Sequence, residues 1–392
     1  MSSTAPRPFM KIDLADFDNR RDEIVSDIMK AASTQGFFYL VNHGIPVEDI
    51  QNMFNHSYNF FALPDDMKKK YPLDAPRNAG YEKFGQIRPS TGLPDLKESI
   101  QLAFHNTPDL WPSEQDAPGF QKAAEKFMQK CNEVSGRLLT CLAIGLGFPD
   151  DFFTRCHDIT QPDSLNTLRC IHYHEISGQS MGPKYCRAGA HTDLDSLTLL
   201  FQRPGEHGLE MCPGRQQVGE PLKADENDWI PLQPEEDEIV CNIGDMIMRW
   251  SDDQLKSNFH RVRCPRSGEY QGSRYSMAYF NQANRSAIIQ GRTKYTEPVT
   301  AGEMLRLAME RNYQIVKAME TKKATEAAAA NIVTNHVVKP ASIMPVLAIV
   351  KNSQLMAMGE FDTNAELRIL ILVRKFMGMP DAAFAQSHTA PK

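Results

Sequence analysis

No Cys-x-x-Cys occurs in this 392-residue chain, and its eight cysteines (131, 141, 156, 170, 186, 212, 241 and 264) are scattered singly. That spacing indicates neither a zinc knuckle nor a disulfide framework, so the thiols are expected to be reduced and mostly buried. No apolar run approaches the roughly 20 residues that span a bilayer, and residues 1–11 hold no apolar core of signal-peptide length. The expectation is a cytoplasmic protein with no membrane partner. Long Lys/Arg runs are missing too, and the formal net charge is -6, which leaves no electrostatic footprint for nucleic acid. General disorder is not expected either, because 41% hydrophobic residues are enough for a sizeable core, in one large domain or two.

What is present centres on Arg187-Ala-Gly-Ala-His191-Thr-Asp193-Leu-Asp-Ser-Leu-Thr-Leu-Leu-Phe-Gln202. Ser196 to Gln202 has the Leu, Thr and Phe content of a buried strand. His191 and Asp193, two apart in extended chain, project to one face while Thr192 turns away. A second His would complete a two-His-one-carboxylate set, which leaves open positions on non-haem Fe(II) for oxygen chemistry. The candidate is His260, in Leu255-Lys-Ser-Asn-Phe-His260-Arg-Val-Arg263. Arg274-Tyr-Ser276 follows, again an i, i+2 pair on an expected strand. An Arg fork with a Ser hydroxyl beside it suits a carboxylate, so a small diacid can be anchored there. A lone His-x-Asp or Arg-x-Ser says little; the ordered set, with strand-like settings around each member, is far more specific.

On these residues the chain resembles the Fe(II)/2-oxoglutarate-dependent dioxygenase superfamily, in its isopenicillin-N-synthase-like branch. His191-Thr-Asp193, His260 and Arg274-Tyr-Ser276 carry the resemblance, with Gly208-Leu-Glu210, Asn242-Ile-Gly-Asp245 and Arg249-Trp-Ser-Asp252 around them. Its wording is most similar to fungal thymine-hydroxylase-type and secondary-metabolite enzymes, and it covers roughly residues 8–320. The fold it implies is α+β, mainly β: a double-stranded β-helix, or jelly roll, braced by N-terminal helices, with an extra helical C-terminal tail. The domain expectation is an N-terminal region 1–150 packed on the barrel, a core 151–320, and a helical extension 321–392.

In chain order, residues 9–14 alternate like a strand, 20–34 have helical spacing, 37–41 form a strand and 47–61 a helix. Residues 120–146 should be the long helix that braces the sheet. Two-residue periodicity then predicts strands at 168–175, 209–212, 229–232, 238–242, 246–250, 258–262 and 274–280. Residues 213–228 and 265–272 lengthen loops relative to the family. Thr300-Ala-Gly-Glu303 reads as a capping box opening a helix, and Thr363-Asn-Ala-Glu366 as a second, opening an apolar segment 367–377. That segment must be buried, either on the long helices or in a homodimer contact.

The resemblance implies that His191, Asp193 and His260 hold Fe(II), and that 2-oxoglutarate binds iron at one end and Arg274 and Ser276 at the other. Tyr173 resembles the position whose hydroxyl reaches that second end, and an ordinary inward Tyr reads equally well. Phe84, Gln101 and Phe104 are candidates for the substrate pocket, since the matching segment lies at the barrel mouth in relatives. Lys97-Glu98, His43, His172, His174 and His207 are read as structural. The implied activity is O2-dependent oxidation of a small organic metabolite, by hydroxylation, desaturation or cyclisation, with release of succinate and CO2. Three alternatives stand beside it: a same-fold oxidase that uses no 2-oxoglutarate, a catalytically silent binding protein, and a Zn site, the last disfavoured because structural zinc prefers four closed N/S ligands.

Overall fold

Strands buried on both faces build two facing sheets, and helices cover the larger one. The computed structural model describes residues 8–105, 107–176, 185–233 and 235–335. In chain order the sheet strands are β1 (Lys11–Asp13), β2 (Phe37–Val41), β3 (Gly80–Lys83), β4 (Lys97–Ala103), β5 (Thr167–Tyr173) and β6 (Cys186–His191), then β7 (Leu197–Gln202), β8 (Leu209–Cys212), β9 (Ile230–Pro231), β10 (Ile239–Ile243), β11 (Phe259–Arg263) and β12 (Arg274–Asn281). The long sheet runs β1-β2-β10-β7-β12-β5-β4-β3 and the short one β6-β11-β8-β9. Only β1 on β2 is a parallel pair in these two sheets.

Because side chains alternate across a strand, each strand of the long sheet serves two cores. On β12, Tyr275, Met277 and Tyr279 join the core beneath the helices. Ala278 and Phe280 face the space between the sheets. A second apolar cluster fills part of that space, with Phe37, Ile171 and Tyr173 from the long sheet against Ala188, Leu209, Met211 and Val262 from the short one. This is the jelly roll.

The helices are α1 (Arg21–Thr34), α2 (Val47–Phe61), the short α3 (Asp65–Lys68), α4 (Phe120–Gly145), α5 (Asp245–Trp250) and α6 (Ala301–Asn335). In α4 the buried Phe127, Cys131, Val134, Leu138 and Leu142 recur every three or four residues and press on the long sheet. The Phe127 ring stands 4.9 Å from that of Phe201 on β7. Each such fully buried Leu or Phe contributes roughly 1.5–3 kcal/mol of hydrophobic stabilisation.

Residues 246–250 depart from the expected strand. They form α5, and Met246, Ile247, Met248 and Trp250 are all buried in it. A run of five residues, apolar but for Arg249, is too short to show a period, so local pattern cannot separate strand from helix. The decision is tertiary: Gly244, Asp245 and Met246 donate their amides to the carbonyls of Ser196, Asp193 and Asp195 at 2.9–3.1 Å. The free N–H groups that open any helix are thereby spent on the loop that carries Asp193.

Residues up to Lys322 make one compact unit. The long sheet crosses the expected boundary at 150, since β1 to β4 lie in it with β5 and β12. At α6 the first half of the capping box is present, with the Glu303 amide 3.1 Å from Thr300 Oγ1, while the Glu303 carboxylate pairs with Arg306. Among the described residues no helix is long and apolar enough to cross a membrane. The expected apolar segment at 367–377 lies outside the described residues.

Candidate active site

His191 ends β6, and His260 lies on β11 directly opposite, as its cross-strand partner. The pairing register therefore brings together two residues remote in sequence, with ring centroids 4.3 Å apart. Asp193 stands just beyond β6, its Oδ1 3.8 Å from His191 Nε2 and 3.6 Å from His260 Nε2. Together the three could hold one metal ion. The three ligand atoms lie within 4.8 Å of one another.

The surroundings fit a cation. His191 Nδ1 is 2.8 Å from the Gly189 carbonyl, which needs a proton on Nδ1 and leaves the Nε2 lone pair for a metal. Burial, then the Arg88 guanidinium and the His260 ring, hold the His191 pKa well below the usual value. Asp193 Oδ2 accepts from Thr198 Oγ1 at 2.7 Å and Asn242 Nδ2 at 2.8 Å, so only Oδ1 faces the two imidazoles. Thr192 turns away, as its position between the ligands requires, and its hydroxyl is 3.3 Å from Asp245.

A small pocket opens between the sheets beside the triad, lined by Lys97, Tyr173, Leu200 and Val262 among others. Near it Arg274 is fully buried, and its guanidinium carbon lies 4.7 Å from the Tyr173 ring centroid. Its donors reach neutral acceptors: the Glu206 carbonyl at 3.0 Å, Gln202 Oε1, and more distantly Ser276 Oγ at 3.5 Å. Among the described residues no carboxylate pairs with it, and the buried Gln202 Nε2 has no hydrogen-bond partner. Orphaned donors beside an uncompensated guanidinium suit a carboxylate supplied by a ligand.

A larger cleft of ≈ 830 Å³ adjoins the triad and contains Gln101, Arg169, His191, Asp193 and Phe280. Its outer wall comes from two places that strand spacing does not reveal: the loop at 215–222 and the first turns of α6, at Leu305, Met309 and Ile315. The long loop is docked by Arg215, which is buried and ion-paired with the equally buried Asp245. Of the expected pocket residues, Gln101 lines the cleft. Phe84 does not: it is 45% exposed and its ring sits 5.0 Å from that of His174. Phe104 packs against the helix-side core instead. Lys97 and Glu98 divide between the two faces of β4. Lys97 reaches the inner pocket, and Glu98 binds Lys68 at 2.7 Å and His172 at 2.8 Å on the other side.

Several residues of the site went unread in the sequence, among them Arg88, Arg169, Thr198 and Arg215. A signal existed for Arg169, which shares the inward parity of Tyr173 on β5. Thr198 and Asn242 lie in stretches already singled out, but their embrace of Asp193 depends on β7 and β10 being neighbours.

Comparison with known proteins agrees with this geometry. The family of the non-haem dioxygenase in morphine synthesis N-terminal region matches residues 11–120, and the 2OG-Fe(II) oxygenase superfamily matches residues 164–283. The 2-oxoglutarate-dependent dioxygenase caaD of Aspergillus niger is 30% identical over 311 residues, 76% of this chain and 90% of its own. The proline hydroxylase buaE of Petromyces alliaceus is 32% identical over 321 residues, 74% of this chain and 95% of its own. Among solved structures, a full-length Neurospora crassa protein crystallised in complex with alpha-KG is similar with a TM-score of 0.66 and 29% identity, over 76% of this chain and 96% of that one.

Proposed function

This chain belongs to the 2OG-Fe(II) oxygenase superfamily and is an Fe(II)- and 2-oxoglutarate-dependent dioxygenase, and from that premise we propose which of its residues do the work. His191 Nε2, Asp193 Oδ1 and His260 Nε2 hold the iron. Arg274, with Ser276 and the Tyr173 ring beside it, holds the far carboxylate of 2-oxoglutarate in the pocket between the sheets. The prime substrate, a small organic molecule, lies in the larger cleft against Gln101. Iron held by these three residues would supply the O2-dependent oxidation of a substrate C–H bond, coupled to conversion of 2-oxoglutarate to succinate and CO2.

The observation that carries this assignment is the pairing of His191 and Asp193 with the cross-strand His260, at 3.6–3.8 Å between ligand atoms. The protein's own contribution is position and dryness. Thr198 and Asn242 orient the carboxylate, Gly189 orients the imidazole, and the buried Arg274 draws the dianion inward. A same-fold oxidase without 2-oxoglutarate and a silent binding protein are not favoured, since relatives are named for 2-oxoglutarate dependence and the similar Neurospora crassa structure contains alpha-KG.

The test is succinate release against 2-oxoglutarate concentration. A guanidinium–carboxylate contact is worth about 1.5–3 kcal/mol, so Arg274→Ala should weaken apparent cosubstrate affinity on the order of 10-fold to 100-fold. Ser276→Ala should cost less, and iron content should hold in both variants. O2 consumption by the wild type with its substrate, but without succinate, would refute the cosubstrate assignment. A cytoplasmic location and a homodimer contact through residues 321–392 are further proposals; light scattering of the full chain tests the second.

A further inference from the structure

Arg169 is the inner cation of the cleft to which no described residue supplies an ion-pair partner. Arg88 Nε and Lys97 Nζ lie 2.9 and 3.0 Å from the same Asp95 oxygen, and Arg215 is paired with Asp245. Arg311 stands at the outer rim, exposed to water on α6. Arg169, on β5, donates its Nε to the neutral Gln101 Oε1 at 2.6 Å, and its guanidinium carbon is 5.4 Å from the Phe280 ring centroid. Among the described residues it makes no ion pair, and its two terminal amino groups make no hydrogen bond. Gln101 is itself fixed, its Nε2 donating to the Asn78 carbonyl at 2.7 Å.

A guanidinium does not shed its proton, and Arg169, partly exposed within the cleft and faced there by a neutral amide, leaves its terminal N–H groups to an anion that enters. Partial burial opposes the charge, and an entering carboxylate would offset that effect. The rest of the cleft describes the body of the ligand. Leu222, Leu305, Met309 and Ile315 form its outer wall, and ≈ 830 Å³ is the size of a cavity for a small molecule. We propose that the prime substrate is an organic acid with an apolar body, and that Arg169 receives its carboxylate while Gln101 fixes the guanidinium. This rests on the dioxygenase assignment above, with iron and 2-oxoglutarate at their own residues.

The experiment uses the full chain loaded with Fe(II), 2-oxoglutarate and O2, and a panel of apolar carboxylic acids, each paired with its primary amide. Succinate release above the substrate-free level is read with the mass shift of the organic product. Acids should stimulate release and their amides should do so on the order of 10-fold to 100-fold less, as loss of a charge-assisted contact requires. Arg169→Gln should lose the preference for acids, and Arg169→Lys, which keeps the charge, should retain most of it. Anaerobic titration of 2-oxoglutarate into the Fe(II) protein should give the same midpoint for Arg169→Gln as for the wild type. Amides that stimulate as well as acids, or a panel in which no acid stimulates, would overturn the proposal. A roughly tenfold weaker 2-oxoglutarate midpoint in Arg169→Gln would overturn it too, since the residue would then serve the cosubstrate. Failure of the wild type to bind 2-oxoglutarate at all would refute the dioxygenase site assignment itself, which separates the two failures.

Discussion

Asp193 owes its orientation to neighbours that are not ligands. Thr198 and Asn242 both bond Oδ2, and Thr198 Oγ1 also lies 2.8 Å from Asp195, whose buried carboxyl is pushed well above the usual range by burial and by Asp193. Partners of this kind typically change metal affinity 10-fold to 100-fold. Asn242→Leu should therefore weaken Fe(II) binding by about that factor in a chelator competition. Unchanged affinity would show that Thr198 alone holds the carboxylate. The ligands themselves predict a steeper result: His191→Ala, Asp193→Ala and His260→Ala should each lose stable iron and turnover with the fold intact, whereas Thr192→Ala should be mild. Near-normal iron content in the His260→Ala protein would mean that the distal ligand is another residue.

At the scale of elements, the loop after β8 and the opening of α5 are joined by one buried ion pair. Arg215 and Asp245 are each about 3% exposed, and Ser257 Oγ adds a bond to Asp245 at 2.7 Å. Removing one partner leaves the other charge buried and alone, at a cost of about 3–5 kcal/mol. Arg215→Met should lower the unfolding free energy by roughly that amount in urea titration. A change under about 1 kcal/mol would show that water reaches Asp245 and replaces the guanidinium. The turn from α1 into β2 makes a second demand. Gly36 has φ +67°, and a Cβ there would stand 1.7 Å from the Lys256 carbonyl oxygen. Gly36→Ala should destabilise by more than about 1 kcal/mol in the same assay, because both the backbone region and the space are closed to a side chain.

For the whole molecule, the acid limb of stability has an identifiable source. His157 is fully enclosed between the helix side and the metal loop, with Nδ1 2.7 Å from the Phe153 carbonyl and Nε2 2.8 Å from Ser196 Oγ. Burial lowers its pKa from 6.5 to about 4, against a smaller opposing effect of the Phe153 carbonyl. Between these values the unfolded chain binds the proton and the folded chain does not. The stabilisation is thus complete above 6.5 and is lost as pH falls toward 4, by about 3 kcal/mol in all. Glu98 adds a limb further down: burial works against its charge, but His172, Lys68 and Tyr81 outweigh it and bring its pKa from 4.5 to about 2. Denaturant midpoints from pH 7 to 4 should fall for the wild type and flatten for His157→Gln. Parallel slopes in the two proteins would move the source elsewhere.

Local spacing by itself determined most of the strands, the helices at 21–34, 47–61 and 120–145, and the same-face pair of His191 and Asp193, because periods of 2 and 3.6 are written in neighbouring residues. The family resemblance carried His260, Arg274 and Ser276 to their expected roles. What tertiary structure alone decided is whatever depends on pairing between distant strands. His260 meets His191 only through the β6–β11 register, and Asn242 meets Asp193 only because β10 lies beside β7. Residues 246–250 became a helix because the amides at its opening, Gly244 to Met246, had carbonyls of the ligand loop to bond, and Arg169 became an unpaired cation of the larger cleft because no acid among the described residues comes within ion-pair distance of it. A side chain's partners are set by the sheet that surrounds it, and no periodicity along the chain encodes them.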